Sequence, residues 1–228
     1  MAKMVTNPFL KEVYLLVPVT GFTFNPLGEN TYIVHDAESK DAIIIDAGMY
    51  NSQECHTIQT FLEERSLKLN AIWGTHAHID HIFGNWWIKE KYQIPYYLHK
   101  DDIKMIERSE TMAALWNLNY TPSPLPNEFL QHDDQLTIGS LSIEVRFVPG
   151  HAPGHVIFYC PKEQWAVVGD TIFQGSIGRT DLPGGNHELL LQKIQEEIFT
   201  LPNETTLYTG HGGSTTVTFE RKNNPFFK

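Results

Sequence analysis

The segment Ala71-Ile72-Trp73-Gly74-Thr75-His76-Ala77-His78-Ile79-Asp80-His81 constrains this chain more than any other. A short apolar run, read as a buried strand, stops at Gly74, and three histidines and an aspartate follow within six positions. Ile79, Ile82, Phe83, Trp86 and Trp87 then recur at i, i+3, i+4, i+7 and i+8, which predicts a helix over Ile79 to Lys91 with that face turned inward. Asp80 and His81 fall in its first turn. His76 and His78 stand just before it, where alternate residues of an extended backbone point the same way. Four polar side chains converge on one small volume. Neutral imidazole nitrogen and carboxylate oxygen packed so tightly suit zinc, iron or manganese. Shuffling a chain with these His and Asp frequencies produces the pattern about once in a thousand sequences, so chance is a poor explanation.

Elsewhere, short β-branched runs bounded by turn residues read as strands: Val13 to Val19, Thr31 to Val34, Ala42 to Ile45, Leu141 to Val148, Val156 to Tyr159, Ala166 to Val168 and Thr206 to Tyr208. Helical patterns cover Ser52 to Arg65, Asp101 to Trp116 and His187 to Phe199. At 228 residues, with no repeat or linker, this order fits one layered α/β domain spanning 1–228. Tyr120 to Asp134 holds Pro122, Pro124 and Pro126 and reads as a surface loop, a candidate lid over a site.

Three later segments repeat the logic of a functional side chain at a strand end. Pro149-Gly150-His151-Ala152-Pro153-Gly154-His155 projects a histidine from a rigid turn, Gly169-Asp170-Thr171 ends an apolar strand in an aspartate, and Gly210-His211-Gly212 sets a histidine between glycines. The two cysteines, Cys55 and Cys160, are far apart and fit neither a disulfide framework nor a Cys-rich zinc site, which suits a reducing, cytoplasmic setting. A net charge of −10 disfavours nucleic acid and anionic membrane surfaces. No apolar run approaches the roughly 18 residues of a membrane span. Val13 to Val19, interrupted by Pro18, reads as a strand rather than a leader.

Thr75-His76-Ala77-His78-Ile79-Asp80-His81, Pro149-Gly150-His151, Gly169-Asp170-Thr171 and Gly210-His211-Gly212 together resemble the metallo-beta-lactamase superfamily, and within it the glyoxalase II-like hydrolases. The resemblance spans essentially the whole chain. It implies an αββα sandwich of two mixed β-sheets flanked by helices, with the site at one edge between the sheets. Carried over by position, it implies one metal on His76, His78 and His151, a second on Asp80, His81 and His211, and Asp170 bridging. Two divalent ions are expected, zinc first, with iron or manganese also competent. Neither cysteine matches a ligand position, which argues against lactamase action.

A pair of such ions about 3.5–4 Å apart can hold a hydroxide near neutral pH and polarise a carbonyl. Asp80 and Asp170 are the carboxylates placed to orient that hydroxide. A thiolate leaves easily, so a small-molecule thioester of the hydroxyacylglutathione type is the expected substrate. The alternatives are a persulfide dioxygenase using one iron on His76, His151 and Asp170, and a lactonase on the same fold. His155 and Asp46 are candidate outer partners of the ligands, and His155 is also a candidate proton donor to the leaving group. Arg179 is a candidate for holding a substrate carboxylate, against an internal pair with Asp181 or Glu188. Arg221 and Lys222 are candidates for meeting an anionic thiol carrier. Full-length glyoxalase II has a helical C-terminal domain that grips glutathione, whereas this chain runs only from His211 to Lys228 beyond the last motif. Another acyl thiol is therefore a candidate carrier, with the 101–134 insert, including Trp116, Tyr120 and Phe129, as its pocket wall. His35, His56, His99, His132 and His187 match no motif and are assigned nothing.

Overall fold

The computed structural model describes residues 18–228. Its first half runs β1 (Val19–Phe24), β2 (Glu29–His35), β3 (Asp41–Ile45), α1 (Ser52–Glu64), β4 (Lys68–Trp73), α2 (Ile79–Ile82), α3 (Asn85–Tyr92), β5 (Tyr96–His99), α4 (Ile103–Leu115) and β6 (Glu128–Leu130). The second half runs β7 (Gln135–Ile138), β8 (Leu141–Phe147), β9 (Val156–Cys160), β10 (Trp165–Gly169), β11 (Ile172–Phe173), β12 (Ser176–Ile177), α5 (His187–Lys193), β13 (Thr206–Thr209), β14 (Thr215–Thr216) and α6 (Val217–Asn223).

Two six-stranded sheets result, ordered β1-β2-β3-β4-β5-β6 and β14-β13-β10-β9-β8-β7. Both are mixed. The first is antiparallel through β3 and parallel from β3 to β6, and the second is antiparallel except where β10 pairs with β13. Alternation along each strand sets the layers. Ile43, Ile45, Ala71 and Trp73 of the first sheet pack with Ile143, Val145, Val156, Phe158 and Val167 of the second, forming the central layer. Trp73 and Phe158 meet there with ring centroids 5.2 Å apart. Ile44 and Ile72 face the other way, onto Ile58, Leu62, Ile82 and Ile88 of the helices. On the far side, Ile157, Ala166 and Val168 pack under Leu190 of α5 and the Ile194 and Ile198 that follow it. Strands buried on both faces explain why the runs are apolar throughout rather than alternating with polar residues.

The structure differs from the sequence reading at several elements. Residues 13–17 of the expected first strand lie outside the described residues, and β1 begins at Val19. The helix expected over Ile79 to Lys91 is two helices broken at Phe83 and Gly84. Gly84 donates its N–H to Ala47 O at 2.7 Å, and a Cβ there would stand 2.7 Å from Met49 Cε. The chain bends to make that approach, so Ile88 is buried while Trp86 and Trp87 are half-buried. Asp101 to Trp116 begins with a tight 3-10 turn at Lys100–Asp102 before α4, and α5 ends in a wide π-type turn over Ile194–Ile198. The proline-rich 120–134 segment is not all loop: beyond its prolines β6 adds a parallel edge strand beside β5, the position where a sheet tolerates such a neighbour.

Candidate metal centre

The clustered residues stand just beyond the C-terminal ends of five strands. The turn after β4 and the start of α2 bring His76, His78, Asp80 and His81, the turn after β8 brings His151, and Asp170 and His211 follow β10 and β13. Asp46, which follows β3, adopts φ +53°. Donor atoms of His76, His78 and His151 lie within 4.8 Å of one another, as do those of Asp80, His81 and His211. Asp170 stands between the groups: its Oδ2 is 3.5 Å from His151 Nε2 and 3.5 Å from His211 Nε2, and its Oδ1 is 3.5 Å from His81 Nε2. Asp80 Oδ2 is 3.2 Å from His211 Nε2. All seven sequence-chosen positions therefore meet in one place.

Three of the imidazoles are held from behind. His81 Nδ1 donates to Asp46 Oδ2 at 3.0 Å, His151 Nδ1 to Arg179 O at 2.7 Å and His211 Nδ1 to Gly28 O at 3.2 Å. These acceptors fix the orientation of the three rings and turn each Nε2 inward. Thr75 Oγ1 lies 3.0 Å from His76 Nδ1 and donates to Asp46 Oδ2 at 2.7 Å, while Thr75 N–H donates to Asp46 Oδ1 at 2.7 Å. Asp46, His76 and His81 also form a close trio. Both oxygens of Asp46 are already engaged by Thr75 and His81, which makes it a support rather than a ligand.

The interior of the cage is short of partners. His76 Nε2, His81 Nε2 and Asp170 Oδ1 are buried without a hydrogen bond, an arrangement that costs free energy unless a cation serves them. His78 Nδ1 and His151 Nε2 sit 2.8 Å apart, both aimed into the same space. Divalent cations fit this donor set. Burial, reinforced by neighbouring imidazoles, pushes His76 well down and His78 to about 3, so both are ready as neutral ligands. At His81 burial also acts downward, but Asp170 and Asp80 outweigh it and raise the pKa. Burial would raise Asp170, yet His81, His151 and His211 hold it well below the usual carboxylate range. Gly210 permits the approach, because a Cβ there would run into Asp170 Oδ1.

Other candidates sort by position. His155 is fully buried behind His76, with rings 4.7 Å apart, and its Nε2 accepts the Asp170 N–H at 3.1 Å. Burial pushes its pKa well down, so it supports the cage and is no proton donor to a leaving group, a correction to the sequence reading. Arg179 borders the cavity over the centre, but its fork donates to both Asp181 oxygens at 2.8 Å. Arg221 and Lys222 are exposed on α6 and do not line that cavity; Arg221 donates instead to Asn203 Oδ1 at 3.2 Å. Nor does any residue of 120–134 line it. Trp116 does, while Tyr120 packs behind on Phe83 and Phe129 is exposed. The wall comes from α4 rather than from a proline-rich lid.

The family model of the metallo-beta-lactamase superfamily matches residues 24–211, a span holding every clustered side chain. The chain belongs to the metallo-beta-lactamase superfamily. Among its superfamily relatives, the "Probable metallo-hydrolase YqgX" of Bacillus subtilis is 37% identical over 203 residues, covering 88% of this chain and 93% of its own. Hydroxyacylglutathione hydrolase GloC of Haemophilus influenzae is 32% identical over 213 residues, covering 92% and 96%. Two solved structures are also similar. BLEG-1 B3 metallo-beta-lactamase has a TM-score of 0.84 at 35% identity over 92% of this chain and 99% of its own. TTHA1623 in a di-iron-bound form has 0.82 at 36% identity over 91% and 100%. Among the described residues no helix is long and apolar enough to cross a membrane.

Proposed function

We propose that this superfamily member is a metal-dependent thioester hydrolase of the hydroxyacylglutathione type. The observation that carries the reading is the pair of three-residue donor groups meeting at Asp170 with unpaired atoms facing inward. His76, His78 and His151 would hold one divalent ion and Asp80, His81 and His211 the other, with Asp170 between; zinc is the first choice and iron or manganese the others. Such ions supply Lewis acidity and an activated water at neutral pH. Asp80 and Asp170 both border the cavity and orient that water. Burial works against the charge of Asp80, but His81 and His211 keep it ionised and able to accept a hydrogen bond. A thiolate departs without prior protonation, which agrees with a centre whose spare imidazole, His155, is sealed away from the cavity. A relative named hydroxyacylglutathione hydrolase supports the choice of thioester.

The test is turnover of S-lactoylglutathione by protein loaded separately with zinc, iron or manganese. D80N and H151A are expected to abolish thiol release while the circular dichroism spectrum is kept. Because a relative is named a B3 metallo-beta-lactamase, the missing cysteine ligand does not set lactams aside, and penicillin and cephalosporin hydrolysis belong in the same panel. Oxygen uptake with glutathione persulfide under ferrous iron completes it. Lactam cleavage or oxygen uptake in place of thiol release overturns the proposal.

A further inference from the structure

The cavity above the centre has a volume of about 290 Å³, and one of its walls is a single helix face. Met105, Arg108, Ser109, Met112 and Trp116 line it, spaced so that α4 and the residue after it turn one side to the opening. Three of the five are apolar, and the Ser109 hydroxyl is spent on Ile106 O at 2.6 Å. Leu182 and Pro183 line the cavity too, so the space above the metal ligands favours an apolar guest.

Arg108 is the one charged residue of this wall, and it is unusual within the chain. Of the five arginines, Arg65, Arg146 and Arg179 pair with Glu64, Glu144 and Asp181, and Arg221 donates to Asn203. Arg108 makes no ion pair or side-chain hydrogen bond among the described residues. Its own helix offers none: the residues three and four positions away are Met105, Lys104, Thr111 and Met112. An exposed guanidinium at a cavity mouth, in a protein of net charge −10, is a local reversal of the overall field. Its five donors fit a carboxylate in fork geometry. Arg179 cannot do the same without releasing Asp181.

We propose that α4 is the substrate-selecting wall of this site: Arg108 pairs a carboxylate of the thiol carrier, and Met105, Met112 and Trp116 receive an apolar acyl group. This rests on the metal-dependent thioesterase reading and moves its preferred substrate away from hydroxyacylglutathione. One unpaired cation matches one carboxylate better than a polyanionic carrier, and an apolar wall favours an alkyl or aryl acyl chain over a small hydroxyacyl unit.

The experiment measures binding of non-hydrolysable thioethers to the zinc-loaded protein by calorimetry. S-hexyl-N-acetylcysteine carries both features, S-hexyl-N-acetylcysteamine lacks the carboxylate, and S-methyl-N-acetylcysteine lacks the chain. The first is expected to bind at least fivefold tighter than either of the others. R108M should bring the two hexyl compounds together. K104M removes the same charge from the same helix away from the cavity and should keep them apart. Equal affinity of the two hexyl compounds for the unaltered protein, or equal loss in K104M and R108M, overturns the carboxylate subsite; equal affinity of the hexyl and methyl cysteine compounds overturns the apolar wall. Hydrolysis of the matching hexanoyl thioesters separates the two levels. No turnover with Arg108-dependent binding intact sinks the thioesterase reading alone, whereas turnover without carboxylate preference sinks the subsite alone.

Discussion

Asp102 shows what individual ligands cannot do for themselves. It is fully buried at the start of α4, where Oδ2 accepts the Ala77 N–H at 3.0 Å and Oδ1 accepts the Gly154 N–H at 2.6 Å. One carboxylate thus ties the turn between His76 and His78 to the turn between His151 and His155. D102N keeps one acceptor and turns an amide N–H toward the other donor. The expected cost is about 1–3 kcal/mol of stability in a denaturant titration. Zinc affinity should fall about 10- to 100-fold, the usual effect of removing an outer support, read by competition with a chromophoric chelator; unchanged affinity would mean the two turns hold themselves. Nothing in the sequence marks Asp102, because its partners are backbone N–H groups that any residue type supplies. The histidines were legible for the opposite reason: their chemistry is concentrated in side chains, at spacings that chance rarely produces. Asp46 was legible as a candidate outer partner of the ligands, but Thr75, its hydrogen-bond partner, was not singled out for that role.

Strands were legible where both faces are buried. Ile43, Ile44 and Ile45 announce β3 because each finds an apolar layer, whereas Tyr96-Tyr97-Leu98-His99 is too short between Pro95 and Lys100 to stand out as β5. Periodicity located the apolar face near Ile79 but carries no information about a change of helix axis, so the break at Gly84 was hidden. Connections between turns are equally invisible, and one of them makes a test. Asp36, after β2, accepts the N–H groups of Glu38 and Ser39 through Oδ1, and both the N–H and Oγ–H of Ser140 through Oδ2. It joins the β2–β3 turn to the β7–β8 turn, one from each sheet. The Ser140 hydroxyl, with the backbone donors of Ser39 and Ser140, holds its pKa well below the ordinary carboxylate value. A folded pKa below the unfolded one means the unfolded chain takes up the proton first as pH falls. The stabilisation is therefore present above about pH 4 and is lost as pH drops below it. D36N should be less stable than the parent by about 1–2 kcal/mol at pH 7, and the gap should begin to shrink below about pH 4 and go on shrinking as the pH falls toward the depressed folded pKa. A gap independent of pH would place the effect in packing rather than in charge.

At the scale of the molecule, the centre joins the two sheets along one edge. β3 and β4 deliver Asp46 and the histidine segment from one sheet, and β8, β10 and β13 deliver His151, Asp170 and His211 from the other. Glu29, Asp46, Asp80 and Asp170 crowd into this edge within a chain already at −10, a concentration of acid that burial penalises unless positive charge answers it. Without metal, protons must answer: burial raises Glu29 well above the usual carboxylate value, and His81, raised by Asp170 and Asp80 against its burial, is the foremost cation. Divalent ions held there would replace that proton and pull on both sheets together, so metal affinity would appear directly as folding stability. At free zinc of 1,000 times the dissociation constant, one site adds about 4 kcal/mol. At roughly 2–4 °C per kcal/mol for a chain of this size, that amounts to about 8–16 °C in melting temperature. Chelation of the zinc-loaded protein should lower the melting temperature by at least that much, and zinc should restore it. D80N removes a donor from the Asp80–His81–His211 group alone and should recover only part of the shift. Equal melting temperatures before and after chelation, with metal loss verified by elemental analysis, would show that the sheets close along this edge without the ions and that the donor cage is not what joins them.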